Sequence, residues 1–181
     1  FGDFSNLVIF NHTDLLRGGE FPERMQRLKE MADAIVIDEA HHFRNPGLKG
    51  AEGERKSRYW QLYDIADGKK VFLLTATPVN NRLIDLQNMI EIFSRRQPDY
   101  FKEAPLGIHS LPGHFRKMEN ELERLLQQPS NDGVTDTNQV EAEKVLTNDN
   151  LFRALVVQRS RAYVKKSQDQ YSSGAKAIFP M

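Results

Sequence analysis

Apolar positions along this chain fall into short unbroken runs separated by stretches with helical spacing. Residues 7–10 form one run, leaving through Asn11, His12 and Thr13, and read as a buried strand. Residues 34–38 and 71–75 are the second and third candidate strands. Between them, Met25, Leu28 and Met31 recur at helical intervals over 21–31, with Pro22 in the first turn, where its missing N–H costs nothing. A polar loop at 44–58, carrying Pro46, Gly47, Gly50 and Gly53, leads into a helix marked by Tyr59, Trp60, Leu62, Tyr63 and Ile65. Leu83, Leu86, Met89, Ile90 and Phe93 then make the stripe of a helix that lies on a sheet. Strand and helix alternating in this way predict an α/β fold with a parallel sheet and flanking helices over residues 1–96.

From Gln97 the pattern changes. Phe115, Met118, Leu122, Leu125 and Leu126 predict a helix, and 129–138 is a linker rich in Gly, Asn, Asp and Thr, so 97–150 reads as a helical insertion projecting from the sheet. Residues 151–181 open on an apolar stretch, pass through Arg159, Arg161, Lys165 and Lys166, and end in a polar tail.

Composition narrows the field. The 181 residues carry 25 basic and 25 acidic side chains, so no global field marks a nucleic-acid binder and any such contact is local. With no cysteine there are no disulfides and no thiolate metal sites. The apolar runs are far too short to span a bilayer and the first residues carry no basic region. A soluble protein is expected, cytoplasmic (nucleoid-associated in a bacterium) or nuclear, with no membrane partner. The start at Phe1, almost directly in an apolar run, reads as a fragment.

The candidate chemistry sits at strand ends. Asp38-Glu39-Ala40-His41 follows the apolar run 34–37 directly, and in a parallel sheet the carboxyl end of a strand is where ligands bind. For nucleotide hydrolysis the first acid, Asp38, can hold a Mg2+ ion through water, and Glu39 can orient and activate the attacking water. The plain alternative is a pair of solvated acids. Thr75-Ala76-Thr77-Pro78 ends the next strand, and the Thr75 and Thr77 hydroxyls can hydrogen-bond to the acids and sense bound nucleotide. By itself this motif is equally a strand terminator and turn. His41 and His42 are adjacent on one loop and diverge, which argues against a metal site.

Together the two motifs match motifs II and III of superfamily 2 helicases and translocases. Asp38-Glu39-Ala40-His41-His42-Phe43-Arg44-Asn45 resembles the extended motif II of Swi/Snf-like ATPases, and Leu74-Thr75-Ala76-Thr77-Pro78-Val79-Asn80-Asn81 resembles their motif III, with Ala76 where the family more often has glycine. Val156-Val157-Gln158-Arg159-Ser160-Arg161 resembles, more loosely, the basic segment closing their first motor domain, with Gln158 in place of the usual arginine. The resemblance implies a partial RecA-like (P-loop NTPase) domain, ATP and Mg2+ as cofactors, and double-stranded DNA as partner. It further implies a second RecA-like domain of the same polypeptide, and for His41 a hydrogen-bonded link between the metal site and Thr75 or the opposite domain. Asn11, His12, Asn80 and Asn81, at strand ends, and Arg159 and Arg161 are the implied nucleic-acid contacts, although each of the first four is also a good turn former and the arginines equally suit a solvated or docking face.

One family element is missing from the sequence. No G-x-x-x-x-G-K-[ST] segment precedes motif II. Residues 50–57, Gly-Ala-Glu-Gly-Glu-Arg-Lys-Ser, are a near miss with Arg55 at the second glycine position, on a polar loop behind no strand. The expectation is thus a part of a DNA-stimulated ATPase, inactive without its phosphate cradle. The motor of a restriction or defence system, and a non-catalytic docking module, are the alternatives.

Overall fold

Two of the three apolar runs pair with each other. In the computed structural model, which describes residues 6–50, 56–75, 82–126 and 145–157, β1 (Ala34–Ile37) and β2 (Lys70–Leu73) run parallel, in register from Ala34 beside Lys70 to Ile37 beside Leu73. The chain divides into two compact units, Phe1–Pro129 and Ser130–Met181. The first is α/β, with a two-stranded parallel sheet and flanking helices α1 (Phe21–Met31), α2 (Arg58–Ile65), α3 (Leu83–Ser94) and α4 (Leu111–Leu126). In the second, the described residues include a short helix, Asn150–Leu155, whose first turn is capped by Asp149 accepting from the Phe152 N–H at 2.9 Å.

Local chemistry sets the helix starts. Pro22 occupies the first turn of α1. The Ser57 hydroxyl accepts from the Trp60 N–H to cap α2, and the Ser110 hydroxyl accepts from the Gly113 N–H at 3.1 Å at the head of α4. α3 joins the parts of this unit: it packs on β2, on α2, on α4 and on the 3-10 turn Ala40–Phe43 that succeeds β1. Ala40, Phe43, Tyr59, Ile92, Leu111 and Phe115 form the centre of the core, each no more than 4% exposed.

Three details depart from the sequence pattern. Residues 7–10 are not a strand: Leu7, Val8 and Ile9 are exposed, and no backbone hydrogen bond to another described segment is formed by them. An apolar run becomes a strand only where a ladder partner receives it, and propensity alone does not supply one. The sheet is also covered on one side only: Ile37 is 5% exposed, whereas Val36, Phe72 and Leu74 on the opposite face are 65%, 53% and 51% exposed. Finally, α3 buries more than its stripe. Gln87, Glu91, Ile92 and Ser94 are all buried while Phe93 is only half-buried. None of the described helices is long and apolar enough to cross a membrane.

Candidate functional site

Pairing between the two segments continues beyond the strands. The Leu74 N–H donates to the Ile37 carbonyl at 2.8 Å, and the Ala40 N–H donates to the Leu74 carbonyl at 2.9 Å. Because the strands are parallel, Asp38 and Glu39 leave the sheet at the same carboxyl edge as Thr75, the edge at which ligands bind in open parallel sheets. The two strand-end segments are thereby in backbone contact.

The turn that carries the acids is strained. Glu39 has φ 47° and ψ 47°, a left-handed conformation that costs a non-glycine residue on the order of 1 kcal/mol. Packing on its far side offsets the strain. The reversal at Glu39 buries Ala40 completely, closes the Ala40 bond to Leu74, and lets Phe43 enter the core at 2% exposure. The Asp38 carboxylate accepts from the Glu39 N–H at 2.9 Å and otherwise faces solvent, and the Glu39 side chain is 57% exposed. Both carboxylates are therefore presented outward at the sheet edge.

Histidines surround this turn. His41 Nδ1 lies 3.1 Å from Glu39 Oε2 without the alignment of a hydrogen bond, so the contact is one of proximity. The His42 ring is tilted against His41 at a centroid distance of 4.3 Å and meets His12 edge-on at 5.4 Å, and His12 also meets Phe43 edge-on at 5.1 Å. Partial loss of water around its ring, followed by the fields of His41, His12 and Arg58, holds the His42 pKa below its ordinary value, with Glu39 opposing. The turn that carries the acids thus rests against the segment that includes His12.

Of the residues expected to form the site, Asp38, Glu39, His41 and Thr75 come together at one sheet edge, and His12 joins them through His42. Asn11 is exposed, and its N–H donates to the Asp14 carboxylate at 2.8 Å. Thr77, Asn80, Asn81, Arg159 and Arg161 lie outside the described residues. Asn88 and Tyr59 are additions that the sequence did not announce. The Asn88 side-chain amide donates to the Arg44 carbonyl at 2.8 Å, and the Tyr59 hydroxyl donates to the Asn88 carbonyl at 2.9 Å, tying the segment after the Ala40–Phe43 turn to α3 and α2. The one available signal was a polar Asn88 beside the apolar stripe of α3. Next to this tie, Arg44, Asn45, Arg82, Ile84, Asp85 and Asn88 line an open cleft of about 360 Å³.

No family model, curated protein or solved structure matches this chain.

The donor set fits magnesium in one way. Among the described residues no three His, Cys, Asp or Glu side chains converge on a point that could hold a metal ion. Magnesium is commonly held by one or two carboxylates with the remaining positions filled by water and substrate phosphates. Exposed, hard oxygen donors at Asp38 and Glu39 suit that arrangement and do not suit an all-protein cage.

Proposed function

We propose that this chain is part of the first RecA-like lobe of a superfamily 2, Swi/Snf-like DNA-stimulated ATPase, which couples ATP hydrolysis to movement on DNA. The observation that carries the reading is the backbone bond from Ala40 to Leu74, which joins the Asp38-Glu39 turn to the Thr75 segment at the carboxyl edge of a parallel sheet. Acids at a strand end are common. A turn that carries two acids and is bonded through its backbone to the end of the neighbouring strand, with a left-handed conformation at Glu39, is a narrower arrangement.

In this reading Asp38 holds the Mg2+ ion through water, Glu39 orients and deprotonates the attacking water, and His41 is a positioning residue that fixes the Glu39 carboxylate. When bound, Mg2+ neutralises charge on the phosphates. Thr75 stands beside the acids and reports whether nucleotide is present. The sequence contains no P-loop motif, so the reading requires the phosphate cradle and the second lobe to come from other residues of the same polypeptide.

The test uses that polypeptide. Glu39→Gln should leave Mg–ATP binding largely intact and cut DNA-stimulated hydrolysis by about 10²-fold or more, because positioning the water acts mainly in the transition state. Asp38→Asn should weaken metal-dependent ATP binding as well as turnover. Normal DNA-stimulated turnover in Glu39→Gln, measured by steady-state ATPase assay, would remove the assignment.

A further inference from the structure

We infer that the cleft between the end of the 3-10 turn and the first turn of α3 holds one phosphodiester of a DNA backbone between the guanidinium groups of Arg44 and Arg82. The inference rests on the reading that this chain works on DNA, and it assigns a contact point to Arg44 and Arg82, neither of which was given a nucleic-acid role above.

The charge around the cleft favours this ligand. Among the described residues, Arg44, Arg82 and Asp85 are the ionisable ones that line it, giving two positive charges and one negative. No described carboxylate lies within ion-pair distance of Arg44, and the nearest to Arg82 is Glu119 at 4.0 Å, the outer edge of that range. The net single positive charge matches a phosphodiester, which carries one negative charge. A nucleotide triphosphate, with several, would be left under-compensated.

Arg44 is also held at its base. Its N–H donates to the His41 carbonyl at 3.3 Å and its carbonyl accepts from Asn88 at 2.8 Å, so the guanidinium projects from a fixed backbone. Less conformational freedom is then lost when the planar fork engages two phosphate oxygens. The Asn45 side-chain carbonyl accepts from the Gly47 N–H at 3.1 Å, which leaves its amide NH2 as the group that could donate to a phosphate. A site of this kind reads backbone and not bases, so binding is independent of sequence.

The experiment measures binding of the 181-residue chain to a fluorescein-labelled DNA duplex by anisotropy across a salt series. Arg44→Ala and Arg82→Ala should each weaken binding about 5-fold at low salt, and the double variant should lower the slope of log K against log salt by about 1, the value for one phosphate contact. Arg124→Ala on α4, away from the cleft, should bind as the unaltered chain does. A double variant with unchanged circular dichroism, affinity and slope would overturn the proposal. So would failure of the unaltered chain to bind duplex at low salt. None of these readouts involves hydrolysis, so the cleft can fail while the assignment of Glu39 stands, and the reverse.

Discussion

At the scale of single residues, buried charge is the most exacting feature. Glu91 is 4% exposed on α3, takes a hydrogen bond from Gln87 at 2.7 Å, and has Arg96 Nη2 3.1 Å from its second oxygen. The half-exposed Arg96 guanidinium is the cation that offsets this buried carboxylate, which also helps burial to push the Tyr59 phenol well above its ordinary pKa. Removing only the cation leaves an uncompensated charge in the core. Arg96→Ala should therefore cost about 2 kcal/mol in urea denaturation, a value reduced from that of a fully buried pair because Arg96 reaches solvent. The double variant Arg96→Ala/Glu91→Gln should recover most of it, and a double variant as unstable as the single would refute the pairing.

His42 gives a pH dependence at the same scale. Its folded pKa lies below 6.5, so the folded state binds its proton less readily than the unfolded state does. The contribution is fully present above pH 6.5 and is lost as pH falls below it through the folded pKa. Thermal melting should drop over that window, and His42→Gln should flatten part of the drop. An identical profile in the variant would show that other groups carry it.

At the scale of elements, α3 shows how helical periodicity can find an element and still rank its residues wrongly. The spacing of Leu83, Leu86, Met89, Ile90 and Phe93 correctly locates the helix. However, β2, α2, α4 and the 3-10 turn contact it from several sides, so Ile92 is fully buried and Phe93 is not. Ile92→Ala should cost about 3 kcal/mol and Phe93→Ala distinctly less, the reverse of their order by side-chain size. Equal losses on chemical denaturation would contradict the packing. The end of α3 was equally hidden from the sequence. Arg95 and Arg96 both take left-handed conformations where glycine is the usual residue. Arg95 is retained there by its stack on Tyr63, 3.5 Å from the ring centroid, and by Asp67 at 3.2 Å, contacts to partners about thirty positions away in sequence.

At the scale of the whole molecule, the proposed activity depends on parts that the sequence lacks. In the proposed reading Asp38 and Glu39 would position metal and water, but without a phosphate cradle or an opposing lobe nothing in that reading stabilises charge developing on the transferred phosphoryl group. The 181-residue chain by itself should bind ATP weakly and hydrolyse it negligibly, with or without DNA. Robust hydrolysis by this chain alone, retained after purification and abolished by Glu39→Gln, would show that the cradle is not needed.

Local order along the chain was sufficient to locate β1, β2 and the four helices of the first unit, because strand runs, helical stripes and caps are encoded within a few neighbouring residues. The exit of Asp38, Glu39 and Thr75 at strand ends was legible for the same reason. Tertiary structure decided which runs pair, leaving residues 7–10 outside the sheet and one sheet face exposed at Val36, Phe72 and Leu74. It also brought His12 to His42 and Asn88 to Arg44. These contacts span some thirty to forty-four positions, and whether such partners meet depends on how the elements between them pack, a property that no local spacing carries.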